Sequence, residues 1–211
     1  MLQLLKDKKG TMSNTVKEFE SRIMLTESEY FDIVSYYMRQ YPNKSFLKNV
    51  NIYFDTGDYY LKNNHQTLRI RIINDSKYEL TIKISNKNGD DEINDVINKK
   101  DADMILTSRI FPEGNVKEYL NKLPYSLDSY KTITILNNLR LEIENDDHLL
   151  VIDKNLYNDI IDYNLEIEAK DSMETANKLL QGYIKQFNLS RTGQKYTGKA
   201  HRAIDSAINK R

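Results

Sequence analysis

The sequence predicts an α+β fold in which antiparallel strands close, or nearly close, into a barrel that is apolar outside, under helices, and charged in its lumen. Three observations predict it. Several strand-length segments alternate apolar and charged residues at a period of two. Their charges are segregated by sign, Glu18 with Glu20, Arg69 with Arg71, and Glu166 with Glu168. Other segments carry apolar residues at helical spacing and supply the outer layer. A sheet face in water ordinarily mixes Thr, Ser, Lys and Glu. Like charges about 7 Å apart on one strand are mildly unfavourable in water and far more so when enclosed, unless a ligand bridges them.

Residues 1–15 lack a periodic pattern, and Met12 follows Lys8-Lys9-Gly10-Thr11, so we expect translation to start at Met12 and the leader to be a disordered tail. Residues 16–211 are expected to form one domain. Residues 16–25 read as the first strand, with Glu18, Glu20 and Arg22 on one face and Phe19, Ser21 and Ile23 on the other. Two carboxylates on successive same-face positions need water, basic partners or a metal ion to offset them. Thr26-Glu27-Ser28-Glu29 has the capping-box arrangement, and Ile33, Val34, Tyr37 and Met38 follow as the buried stripe of a helix ending before Pro42.

Residues 51–58 read as a strand running into a turn at Gly57-Asp58. Residues 67–72 set Leu68, Ile70 and Ile72 opposite Arg69 and Arg71, and residues 78–84 set apolar residues opposite Glu79, Thr81 and Lys83, with a hairpin connection at 74–77. The polar stretch 86–100, with its Asp90-Asp91-Glu92 cluster, reads as a loop or irregular hairpin. Short helices are expected over 101–108 and 114–123, separated by Pro112 and Gly114. Strands are expected at 133–135 and 138–143, the latter placing Arg140 and Glu142 on one face, then at 149–154, and at 164–169 where Glu166 and Glu168 repeat the opening motif. A helix capped by Asp171 or Ser172 carries Ala176, Leu179, Leu180, Tyr183, Ile184 and Phe187. After a basic turn around Lys195, residues 199–208 form a last helix. The Glu-x-Glu strands near the two ends hint at pseudo-symmetric halves.

Length and composition narrow the function. Acids and bases balance at 31 each among 211 residues, so no global field points to nucleic acid or a membrane. The chain has no cysteine, which excludes thiolate metal sites and leaves oxygen ligation. With no apolar run near the roughly 20 residues a bilayer span needs, we expect a cytoplasmic protein. A lumen with acids on some strands and Arg or Lys on others would hold Mg²⁺ or Mn²⁺ on its carboxylates and a chain of phosphates on its basic wall, since the arginine fork binds phosphate in bidentate fashion.

Five motifs in this order, Glu18-Phe-Glu-Ser-Arg22, Tyr53-Phe-Asp-Thr-Gly-Asp58, Thr67-Leu-Arg-Ile-Arg71, Leu80-Thr-Ile-Lys83 and Leu165-Glu-Ile-Glu168, resemble the CYTH superfamily, or triphosphate tunnel metalloenzymes, over about residues 16–204. The resemblance implies an eight-stranded antiparallel tunnel wrapped by helices. It implies metal ligands at Glu18, Glu20, Glu166, Glu168 and Asp153, phosphate ligands at Arg22, Arg69, Arg71, Lys83, Arg140 and Lys195, and Glu20, Lys83 and Glu168 as the catalytic residues. Glu92 matches a mid-chain acidic position. Arg22 stands where the family usually has lysine, and Gln194-Lys195 where it has Ser-Lys.

The expected activity is metal-dependent hydrolysis of inorganic tripolyphosphate to pyrophosphate and phosphate. Thiamine triphosphatase, class IV adenylyl cyclase and a non-catalytic polyphosphate or nucleotide sensor are the alternatives. An organic head group would call on aromatics such as Tyr53, Tyr130 or Tyr157. His65, His148 and His201, scattered in polar contexts, are expected to be ordinary surface residues. The expected partner is a small-molecule triphosphate, with no nucleic acid or membrane and a homodimer left open.

Overall fold

The computed structural model of the chain describes residues 15–86, 89–193 and 196–210, with backbone alone for residues 15–18 and 89. The leader through residue 14 and Lys195 therefore lie outside the described residues. Eight strands form one closed antiparallel barrel: β1 (Thr15–Leu25), β2 (Leu47–Asp55), β3 (Gln66–Ile73), β4 (Lys77–Asn86), β5 (Gly89–Ile97), β6 (Lys131–Glu144), β7 (His148–Tyr157) and β8 (Ile160–Ala169), in the order β1-β5-β4-β3-β2-β6-β7-β8. Closure falls on β1. Its residues 15–18 pair with β5, and Phe19 to Leu25 pair with β8.

Six helices, α1 (Glu27–Gln40), α2 (Tyr60–Asn63), α3 (Lys99–Ser108), α4 (Asn115–Leu120), α5 (Met173–Phe187) and α6 (Lys199–Asn209), complete the described chain. The capping box at Thr26 forms as the sequence expects. Glu29 N donates to the Thr26 hydroxyl at 3.2 Å, and Thr26 N donates to Glu29 Oε2 at 2.7 Å. Ser172 rather than Asp171 caps α5, accepting from Thr175 N at 3.1 Å.

The strand alternation decides which way the barrel faces. Leu68, Ile70, Leu80 and Ile82 point outward into a cluster with Leu61 of α2, Ile105 of α3 and Val116 of α4. On the other side, Ile23, Leu141, Ile152 and Ile167 pack under Ile33 and Tyr37 of α1 and Leu180 of α5. Each such aliphatic side chain contributes about 1.5–3 kcal/mol on burial. Charged residues between them are thereby committed to the interior. Helix α6 packs differently. Its Ala203 and Ile204 meet Tyr53, Leu136 and Tyr157, which share the inward parity of their strands, so α6 covers part of the lumen.

Two expectations are corrected. The stretch 86–100 contains β5, hairpinned to β4 with Lys83 opposite Glu92. Ile93 is the one apolar residue from Asp90 to Asp95, so the local pattern does not mark a strand, and pairing with β1 and β4 forms it. Residues 133–135 and 138–143 belong to one continuous 14-residue strand. The two Glu-x-Glu strands, distant in sequence, are neighbours joined edge to edge. A turn not foreseen links β7 to β8. Asn158 and Asp159 both take positive φ (46° and 66°), which these residue types tolerate and a two-residue hairpin requires.

Candidate functional site

Inward-facing residues of β1 to β6 and β8, with Gly198 and the start of α6, surround a cavity of about 240 Å³. Among the described residues six carboxylates line it: Glu20, Asp90, Glu92, Glu142, Glu166 and Glu168. So do six cations: Arg22, Arg69, Arg71, Lys83, Arg140 and Lys199. The lining is balanced in sign but unevenly distributed. Acids from β1, β5 and β8 meet along the closure seam, and arginines from β3 and β6 form the opposite wall.

Along the seam, Lys83 Nζ lies 3.0 Å from Glu20, 3.1 Å from Asp90 and 3.2 Å from Glu92. Arg22 pairs with Glu20 and reaches Asp90 and Glu166, each at 3.5 Å. Deeper in, Arg140 donates through Nε and Nη2 to the two oxygens of Asp153, both at 2.9 Å, and through Nη2 to Glu166 at 3.1 Å. Lys199, the first residue of α6, donates to Asp153 at 2.8 Å and to Glu166 at 3.0 Å.

Burial alone would raise the Asp153 carboxyl, but Arg140 and Lys199 outweigh it and hold this acid well below its ordinary range. Glu166 is likewise raised by burial and more than compensated, chiefly by Lys199 and then by Arg22 and Arg140, to about 2. Arg71 shows the opposite stress. Burial, followed by the like charges of Arg69 and Arg140, pushes its guanidinium down to about 10. A positive charge that is disfavoured where it stands signals a position built for an anion.

Glu20, Arg22, Arg69, Arg71, Lys83, Arg140, Glu166 and Glu168, singled out in the sequence, all border this cavity, as does Glu92. The side chain of Glu18 lies outside the described residues. Asp153 is fully buried, its oxygens taken by Arg140 and Lys199, and it does not border the cavity. Lys199, Asp90, Glu142 and Tyr53 also line it. Lys199 carried no signal because it opens a helix distant in sequence; Asp90 was hidden in the supposed loop. Two histidines depart from the surface expectation. His148 is buried, bonded to Asp147 at 2.7 Å and Tyr183 at 2.8 Å, and His201 borders the cavity.

Among the described residues no three carboxylates or histidines converge in a ready-made metal cage. The donor chemistry nevertheless fits a hard divalent cation. Glu20 and Glu168 are directly opposed across β1 and β8, Glu166 stands one same-face position away, and all offer oxygen at the cavity wall.

A family model described as the CYTH domain matches residues 16–191. The Bacillus subtilis protein named "Putative triphosphatase YjbK" is 35% identical over 169 residues, covering 79% of this chain and 86% of that one. Among solved structures, a "putative adenylate cyclase" from Bacillus halodurans superposes with a TM-score of 0.79 at 28% identity, covering 89% of this chain and 97% of that one. A Hippeastrum protein described as a "putative adenylyl cyclase" with a dominant triphosphatase activity shares the fold, with a TM-score of 0.68 at 18% identity over 90% of this chain and 95% of its own.

Proposed function

This chain belongs to the CYTH domain family, and we propose that it is a divalent-metal-dependent triphosphatase that hydrolyses inorganic tripolyphosphate, with water, to pyrophosphate and phosphate inside the barrel. The observation that carries this reading is the crowding of Arg69, Arg71 and Arg140 on one wall, with Arg71 depressed by burial and by its like-charged neighbours. Three guanidiniums crowded on one wall, where like charge already disfavours Arg71, gain from a multivalent anion whose several oxygens they can share. The curated relative named as a triphosphatase supports the same reaction class.

Cavity size favours an inorganic substrate. About 240 Å³ falls below the roughly 300–1,000 Å³ of pockets that enclose drug-sized organic ligands. An enclosed phosphate chain suits that space better than a nucleotide does.

In the proposed arrangement Arg69, Arg71 and Arg140 hold phosphate oxygens from one side, and Arg22 and Lys83 bind them from the seam, with Lys195 a further phosphate ligand. Glu20, Glu166 and Glu168, together with Glu18, would hold Mg²⁺ or Mn²⁺. When bound, that ion would neutralise charge on the phosphate oxygens and make the phosphorus that water attacks more electrophilic. Asp153, a metal ligand by resemblance, serves instead to fix Arg140 and Lys199. The protein's own contribution is positioning and electrostatics, because the lumen orients its cations before substrate arrives and keeps bulk water from screening them.

The test is phosphate release by the purified protein with Mg²⁺ or Mn²⁺ on a panel of tripolyphosphate, thiamine triphosphate and ATP. Preferential release from tripolyphosphate supports the proposal. Release only from an organic triphosphate, pyrophosphate release from ATP, or binding without turnover would each replace it.

A further inference from the structure

Tyr53 is the inward-facing residue of β2 between Arg69 of β3 and Thr134 of β6, its direct partners in the two flanking ladders. It borders the cavity, yet only 1% of its surface is exposed. Its ring is fixed by Leu136, Tyr157 and the α6 residues Ala203 and Ile204. Its hydroxyl has no hydrogen-bond partner among the described residues.

Other inward or part-buried tyrosines differ. Tyr157 donates to Asp162 at 2.5 Å, Tyr163 to Glu27 at 2.7 Å, and Tyr196 to Glu166 at 3.4 Å. Tyr130 also lacks a partner, but it sits in the outer apolar cluster away from the cavity.

The chemistry around Tyr53 explains the gap and indicates what would fill it. Arginine side chains have donors and no acceptor, so neither Arg69, its ladder partner, nor Arg71, the next same-face residue of β3, can receive the phenolic proton. Thr134 donates to Asn158 Oδ1 at 3.1 Å, and its oxygen makes no hydrogen bond with the phenol. The hydroxyl is thus a buried donor in a donor-rich wall. An unmet buried donor is unfavourable in the free protein, and a phosphate oxygen seated on the same arginines would supply the missing acceptor.

We propose that the Tyr53 hydroxyl donates a hydrogen bond to a phosphate oxygen of the bound polyphosphate, making it a substrate-binding residue at the part of the lumen covered by α6. This rests on the reading of the cavity as a tripolyphosphate site.

Tyr53→Phe removes the hydroxyl and keeps the ring, so it separates binding from packing. Two measurements test it: calorimetric titration of tripolyphosphate in EDTA, where turnover is suppressed, and thermal melting without ligand. The proposal expects roughly tenfold weaker binding, a matching rise in KM with kcat little changed in Mg²⁺, and a ligand-free melting temperature equal to or above wild type. Equal affinity in the two proteins overturns it. So does a lowered ligand-free melting temperature, which would give the hydroxyl a structural partner. Failure of the wild-type protein to bind tripolyphosphate overturns the functional reading as well, and is distinguishable because it precedes any comparison with the variant.

Discussion

Glu20 of β1 and Glu168 of β8 are direct partners across the seam that closes the barrel, like charges facing each other where opposite charges would stabilise the ladder. The next pair along the same face, Arg22 opposite Glu166, is complementary. The opposed carboxylates are held by neighbouring cations, Glu20 by Lys83 at 3.0 Å and Glu168 by Arg140 at 3.8 Å. Glu20→Ala and Glu168→Ala should each reduce tripolyphosphate turnover by at least about 100-fold. Each should leave the melting temperature near or above wild type, since removing one acid relieves the repulsion. Phosphate release and circular dichroism melting check both halves, and near-wild-type turnover in both variants would place the chemistry elsewhere.

Arg69 borders the cavity, pairs with Glu92 at 3.5 Å and is assigned above to the phosphate oxygens. Arg69→Ala is expected to weaken tripolyphosphate binding by roughly 1.5–3 kcal/mol, the usual range for a charged hydrogen bond. Titration calorimetry gives the number directly, and an unchanged dissociation constant would contradict the assignment.

Arg140 is tied into the structure. It neutralises the fully buried Asp153 through two hydrogen bonds and also holds Glu166. Removing one partner of a buried pair leaves an uncompensated charge, so Arg140→Ala should lower unfolding free energy by about 3–5 kcal/mol in urea titrations. A loss under about 1 kcal/mol would show that Lys199 suffices for Asp153.

Acid should unfold the protein partly through Glu166. Its folded value of about 2 lies below its ordinary 4.5, so the stabilisation it brings is complete above 4.5 and is lost as pH falls from there toward 2. Lys199 is the largest cause lowering that value. Lys199→Met should flatten the dependence of melting temperature on pH within this window, and parallel curves for variant and wild type would rule out that origin.

Metal removal should separate binding from catalysis. EDTA is expected to abolish phosphate release, and Mg²⁺ or Mn²⁺ to restore it. Either ion alone should raise the melting temperature as its concentration passes the dissociation constant. Full activity after exhaustive chelation would remove the metal from the proposal.

Much of this architecture could be read from residues 16–25, 67–72, 78–84 and 164–169, because a period-two pattern fixes which side chains share a face. Eight of the proposed site residues meet at one cavity for that reason. Where acids displaced β-formers, as at Asp90 and Glu92, local propensity hid the strand, and only pairing with β1 and β4 revealed it. His148 looked exposed because its neighbours are polar, yet Tyr183 of α5 covers it.

The sequence by itself determined the alternation, the sign of each strand's charge and the helix that Thr26 starts, since each depends on residues a few positions apart. The tertiary structure decided which carboxylate meets which cation. It seated Lys199 on Asp153 and Glu166 and left the Tyr53 hydroxyl among arginines. Those relationships depend on barrel closure and on where α6 docks, contacts between residues far apart in the chain whose geometry no local pattern encodes.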